Sequence, residues 1–279
     1  MARIAKILLL ALPLLGCARD TPAPRAPSAA PNVRVLAQSF PMPGLDRVRG
    51  IRVYLPPSYE AGSRRYPVIY LHDGQNLFDD ATSYAGEWGV DEALNALARE
   101  KGFEAIAVGI DNGGEKRMQE LSPWPNAKFG APQGEAYMRF IVETVKPYID
   151  ANYRTEPGRE STAVIGSSMG GLISHYAMLA HGDVFGRIGV LSPSYWFSPL
   201  VYEQTRTMPP RLDMRVVLYA GDAEEDRLVP DVMRMRGLLE PLLGAERLRV
   251  AVAAGAKHNE AAWRVEFPAT VRFLFELER

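Results

Sequence analysis

The feature that most constrains this chain is the pentapeptide Gly166-Ser167-Ser168-Met169-Gly170. It follows an apolar, β-branched run, Ala163-Val164-Ile165, and precedes a stretch with Leu172, Tyr176 and Leu179 at helical spacing. G-x-S-x-G between a strand and a helix makes a sharp, strained turn that lifts the central serine above the end of a sheet. Glycines flank that serine because the backbone is crowded there. A Gly-Ser turn alone means little. With strand, turn and helix in series, it predicts a nucleophile at Ser168.

The rest of the chain is consistent with the sheet such a turn requires. Early strands are expected at Val33 to Ala37 and Arg49 to Leu55, antiparallel to each other, the second ended by Pro56-Pro57. Strands follow at Tyr66 to Leu71, Ala105 to Ile110, Ala163 to Ile165, Arg187 to Leu191, Arg215 to Tyr219 and Arg247 to Val252. Helices alternate with them at Val90 to Arg99, Gly134 to Ala151, Gly171 to Ala180, Leu228 to Leu243 and Glu260 to Leu277, with kinks expected at Pro147 and Pro268. Short apolar strands alternating with helices predict an α/β fold with a mostly parallel central sheet and helices on both faces. Residues 192 to 213 leave little room for a lid, so an open pocket is expected. Ligands in such sheets bind beyond the carboxyl ends of the strands.

The N-terminus reads differently. Arg3 and Lys6 precede an apolar stretch, Ile7 to Leu15, too short to span a bilayer as a mature helix. Leu14-Leu15-Gly16-Cys17 follows and resembles a bacterial lipoprotein signal, in which Cys17 would be lipidated and become the new N-terminus. The alternative is an ordinary secretory peptide cut nearby. Cys17 is the one cysteine of the chain, so an intrachain disulfide is excluded. Residues 18 to 32 are rich in Pro, Ala and Ser and read as an extended tether. The expected organisation is a signal at 1–17, a tether at 18–32 and one folded domain at 33–279, exported and lipid-anchored in the periplasm or outer membrane. The net charge of -1 and the absence of a long basic run argue against nucleic acid as a partner.

A serine hydroxyl needs a base within hydrogen-bond reach. Among the four histidines, His175 and His181 follow the turn on its own helix, and His72 ends a strand. His258 lies after the last strand and before the final helix, the place of the base in the chain order serine, acid, histidine. The acid should follow the strand at Arg215 to Tyr219, where Asp222, Glu224, Glu225 and Asp226 compete, and spacing alone does not choose. The backbone N–H of Met169, at the start of the helix after the turn, is a candidate oxyanion donor. Trp124 and Trp196 are candidate rim residues for an aryl or sugar group, with Glu120 and Asp111 in the same rim; ordinary packing is the competing reading for the tryptophans.

Three segments taken together carry a resemblance. Tyr70 to Asp79 (YLHDGQNLFD), the serine turn, and His258-Asn259-Glu260 with Trp263 resemble the putative-esterase family of α/β-hydrolases. That family includes esterase D, feruloyl and acetylxylan esterases, siderophore esterases of the ferric-enterobactin type, and mycolyltransferases. The likeness covers roughly Val33 to the C-terminus and is greatest to the siderophore-esterase branch. It implies an α/β-hydrolase fold, with the little or no lid already read from residues 192 to 213, and a serine esterase acting through an acyl-enzyme. It also implies Glu224 as the acid and the backbone N–H of Gln75 as the second oxyanion donor; Asp226 and then Asp222 are the next candidates for the acid.

The expected activity is hydrolysis of a small or medium ester of siderophore, feruloyl or acetyl type, by Ser168, His258 and Glu224, with no metal or organic cofactor. No metal-ligand cluster or phosphate-binding loop is evident in the sequence. Acyl transfer by the same residues, or a catalytically silent envelope binding protein, are the alternatives. A histidine that must be neutral to act predicts activity falling below about pH 6 to 7.

Overall fold

The computed structural model describes residues 25–277. These residues form ten strands: β1 (Val33–Val35), β2 (Phe40–Met42), β3 (Arg47–Arg49), β4 (Ile51–Tyr54), β5 (Val68–His72), β6 (Ile106–Ile110), β7 (Thr162–Ser167), β8 (Arg187–Leu191), β9 (Arg215–Gly221) and β10 (Leu248–Ala253). Eight of them make one sheet in the order β1-β4-β6-β5-β7-β8-β9-β10. The β1–β4 and β4–β6 pairs are antiparallel, and every pair from β6 to β10 is parallel.

The α-helices are α1 (Val90–Lys101), α2 (Arg117–Glu120), α3 (Gly134–Phe140), α4 (Lys146–Asn152), α5 (Met169–Ala180), α6 (Leu200–Thr207), α7 (Leu228–Leu243) and α8 (Glu260–Leu274). They divide between the two sheet faces as the strand sequences require. On β5, Val68 and Tyr70 join a core with α3, α4, α5 and α7, whereas Ile69 and Leu71 join a second core with α1 and α8. Successive side chains of a strand point to opposite faces, so strands that are apolar at every position need a helical layer on each side. The described helices do not include one long and apolar enough to cross a membrane.

Three local features depart from the sequence expectation. A separate two-stranded hairpin, β2–β3, pairs Phe40 with Arg49 and Met42 with Arg47. The helix expected at Gly134 to Ala151 is interrupted by a π turn over Ile141–Val145. That turn lies just before Pro147, which has no N–H to offer the carbonyl of Glu143 and crowds it. Within 192–213, where a lid helix was not anticipated, α6 forms and packs against α5 and α7 with Val201 and Tyr202 buried.

The expected signal and Cys17 lie outside the described residues. Of the expected tether, residues 25–32 have little regular structure, yet they are held along the loop before α1. Ser28 N–H donates to Asp79 Oδ1 (3.1 Å), Asp80 N–H to Ser28 Oγ (2.7 Å) and Ala30 N–H to Asp91 Oδ2 (2.7 Å).

Candidate active site

Strands β5, β7, β8, β9 and β10 end along one edge of the sheet, and the loops beyond them form the site. β5 lies between β6 and β7: the chain steps from β5 to β6 on one side, then crosses back past β5 to β7 on the other, and this reversal of strand order opens a crevice. At the end of β7 the backbone of Ser168 is forced to φ 58°, ψ −122°, between Ser167 in the strand and Met169 in the helix. Such a conformation is costly for a residue with a Cβ and persists only where its surroundings over-determine it. Here Ser168 N–H donates to Leu191 O (3.0 Å), and Ser168 O accepts from Leu172 N–H and Ser194 N–H (3.0 Å each). A Cβ on Gly166 would lie 2.5 Å from the Gly170 carbonyl, so strand and helix could not close around the serine. Ser168 Oγ lies 3.3 Å from Ser194 Oγ.

The loop after β9 brings one of its four carboxylates to the histidine. Glu224 Oε2 accepts from His258 Nδ1 at 2.6 Å, with the Glu224 side chain fully buried and that of His258 40% exposed. The other oxygen, Oε1, accepts from Gly221 N–H (2.6 Å) and Ser192 Oγ–H (2.7 Å). Trp263 on α8 donates its indole N–H to Ser192 Oγ (2.9 Å) and meets the His258 ring edge-on at 5.1 Å. Asp222 instead accepts from Gly255 N–H (2.6 Å), and Asp226 is exposed. A carboxylate on the Nδ1 side fixes the tautomer that leaves Nε2 free to act as a base.

The other three histidines are occupied elsewhere. His175 is buried between Tyr195 OH (2.9 Å) and Thr205 Oγ1 (2.8 Å), and burial lowers its pKa to about 3. His72 is buried against Tyr137 OH (2.8 Å), and burial lowers its pKa to about 4. His181 caps the end of α5, also lowered by burial.

The loop after β5 faces the serine turn. Asp73 sits in the left-handed region at φ 58° and begins a tight turn over Gly74–Asn76. It is clamped by Arg117, whose Nε and Nη2 reach its two oxygens at 2.6 and 2.8 Å, and by Asn112 Nδ2 (2.7 Å). Burial pushes the Asp73 carboxyl up, but the Arg117 guanidinium and these donors outweigh it and hold the group below its ordinary range. A Cβ on Gly74 would lie 2.8 Å from the Asp111 backbone nitrogen, so only glycine lets this turn pack against the end of β6. Gln75 Oε1 accepts from Asn112 N–H (2.9 Å), which pins the residue whose backbone N–H was expected to face the substrate. Met169 opens α5, and the first N–H groups of a helix have no intrahelical acceptor.

Two cavities meet at Ser168 and His258. A larger one, about 860 Å³, is lined by Gln75, Tyr84, Trp88 and Arg117, and a smaller one, about 160 Å³, by Ser194, Trp196 and Arg227. Trp196 therefore stands where a rim residue was expected. Trp124 does not. It is 4% exposed, donates its indole N–H to Gln204 Oε1 (2.6 Å) and packs edge-on to Tyr176, because Ser122 turns the segment inward by capping the Trp124 amide. Glu120 is likewise buried, bound by Arg47 and Arg49 of the hairpin, and Asp111 pairs with Arg52.

The reading from sequence missed Arg117 and the Trp263–Ser192 link to Glu224. Trp263 stood out only through the family resemblance, and Ser192 carried no signal of its own. Arg117 had no local signal, since it meets Asp73 across 44 residues of chain.

Comparison with known proteins places the chain in a family. The family described as putative esterase matches residues 43–274. An uncharacterized Bacillus subtilis protein, YbbA, is 33% identical over 83% of this chain and 94% of its own length. The ferri-bacillibactin esterase BesA of Bacillus subtilis is 27% identical over 61% of this chain and 64% of its own. Among solved structures, the BES protein of Bacillus cereus superposes with a TM-score of 0.74 at 21% identity, covering 91% of this chain and 99% of that one. The enterobactin esterase FES of Shigella flexneri superposes at 0.70 and 21% identity, covering 91% of this chain and 60% of that one.

Proposed function

Since the chain belongs to the putative esterase family and is a carboxylic-ester hydrolase, we propose that it works through an acyl-enzyme on Ser168, with His258 as base and Glu224 as the acid. The observation that carries this reading is the 2.6 Å contact between His258 Nδ1 and Glu224 Oε2 beside the strained serine. Ser168 Oγ attacks the ester carbonyl carbon as His258 Nε2 takes the hydroxyl proton. The negative charge that develops on the carbonyl oxygen is held by the N–H groups of Met169 and Gln75. Collapse breaks the bond to the alkoxy oxygen, and His258 returns the proton to the departing alcohol. Water then repeats the sequence on the acyl-enzyme, releasing the carboxylic acid and restoring Ser168. Glu224 keeps Nε2 facing the serine and stabilises the imidazolium formed in each half.

The substrate class we favour is a small or medium ester of siderophore, feruloyl or acetyl type. Support comes from an open site with an aromatic wall at Trp88 and Trp196, and from relatives named as siderophore esterases. A further relative is a Xylanibacter ruminicola xylanase/feruloyl esterase, of which this chain spans 28%. We place the protein in the cell envelope on a lipidated Cys17. Hydrolysis of short p-nitrophenyl esters by the full chain, beside Ser168→Ala, tests the mechanism. Turnover should fall by about 10⁵-fold or more in the variant, and a fluorophosphonate should label the parent only. Equal rates or equal labelling would refute Ser168 as nucleophile.

A further inference from the structure

One acidic cluster is not used by the chemistry above. Glu87, Asp91 and Glu92 bring one carboxylate oxygen each to within 4.8 Å of one another. They lie behind the cavity wall that Trp88 forms, and none of the three lines a cavity that holds Ser168. The turn that gathers them is tight: Gly89 is in the left-handed region at φ 63°, bringing Glu87 back beside the first residues of α1. Glu92 is exposed, but Glu87 is 5% and Asp91 0% exposed.

The hydrogen bonds do not account for these oxygens. Asp91 Oδ2 accepts from Ala30 N–H at 2.7 Å, and Arg264 Nη2 stands 3.4 Å from Glu87 Oε1. That leaves Asp91 Oδ1 and Glu87 Oε2 buried with no hydrogen-bond partner. A buried carboxylate oxygen without a donor is costly. Arg264 supplies one positive charge against three carboxylates, and the helix N-terminus offsets only part of the rest.

The geometry points to a site for one divalent cation of calcium size, held by Glu87, Asp91 and Glu92. Oxygens bound to a common calcium at 2.3–2.6 Å can be no more than about 5 Å apart, and this cluster meets that limit. Its donors are all hard oxygens, as calcium prefers. An entry path exists: a shallow cavity of about 440 Å³, lined by Ser28, Asp80 and Arg264, reaches Glu87 from solvent. The ion would join α1, the loop carrying Trp88, and, through Asp91 and Ala30, the segment leading in from the N-terminus. The inference does not depend on the proposed esterase mechanism.

The test is calcium binding by the full chain after removal of metals with a chelator. Titration calorimetry should show one ion per chain. Terbium should bind in its place, give luminescence sensitised by the neighbouring Trp88, and be displaced by calcium. A hundredfold excess of calcium over its Kd should raise Tm by about 5 to 10 °C. Glu92→Gln, at an exposed position, should weaken binding about tenfold or more, because affinity follows ligand charge. Asp91→Asn should abolish binding while keeping an acceptor for the Ala30 amide, with a Tm no lower than that of the chelated parent. Absence of stoichiometric binding at millimolar calcium would overturn the site, as would affinity unchanged in both variants. Stabilisation by mild acid with no response to calcium would also overturn it, and would mean that the carboxyls share a proton instead.

Discussion

Glu224→Gln separates the catalytic role proposed for Glu224 from its structural one, because its two oxygens have different partners. Oε1 accepts from Gly221 N–H and Ser192 Oγ–H, and Oε2 accepts from His258 Nδ1. A glutamine with its carbonyl oxygen at the Oε1 position keeps the first two bonds and presents an NH₂ to His258. The imidazole must then accept at Nδ1, which puts its proton on Nε2, and a protonated Nε2 cannot serve as the proposed base. The equivalent tautomer error in a serine protease costs about 10⁴ in kcat, so a fall of about 10³- to 10⁴-fold is expected here, or about 4 to 5.5 kcal/mol of barrier. KM should change by no more than about threefold, because no substrate contact is removed. The assay is steady-state hydrolysis of p-nitrophenyl acetate or butyrate at neutral pH, with urea denaturation of each variant to confirm that the fold survives. Asp222→Asn and Asp226→Asn are the controls, expected within about twofold of the parent since neither side chain reaches His258. A Glu224→Gln enzyme retaining more than about a tenth of kcat, or a larger loss in Asp226→Asn, would refute the assignment.

Other expectations follow from the same structure. Trp196→Ala should raise KM with little change in Tm, whereas Trp124→Ala should cost about 3 to 5 kcal/mol of stability; denaturation and kinetics that show the reverse would contradict the two placements. The buried His72 and His175 make stability depend on pH. Their folded pKa values, about 4 and about 3, lie below the unfolded value of 6.5, so the stability they contribute is full above pH 6.5 and is lost as pH falls towards those values. Between pH 7 and 4.5 the loss should be on the order of 2 to 3 kcal/mol per histidine, and a urea midpoint that stays constant over that range would contradict it. Cys17→Ser should move the protein from the membrane to the soluble fraction, and unchanged partitioning would exclude a lipid anchor at that residue.

Some of this molecule is local information, and that part was legible in the sequence. The apolar runs that became β5 to β9 bury both faces, and continuous apolarity is the pattern such a strand must have. The strain at Ser168 was likewise written in its flanking glycines, because crowding at one turn is a property of adjacent residues. His258 could be placed because chain order follows from strand order. What depends on distant residues was not legible. Four carboxylates crowd the loop after β9, and which one meets His258 depends on how that loop settles against Ser192 and Trp263. Trp124 looks the same in sequence whether it lines a pocket or fills the core, and it is Gln204 and Tyr176, far along the chain, that hold it inside. Arg117 clamps Asp73, and Glu87, Asp91 and Ala30 converge, only once the sheet has brought their loops together. Periodicity and turn chemistry act over a few residues and can be read along the chain; ion pairs and hydrogen bonds act across space, and their partners are chosen by the tertiary fold.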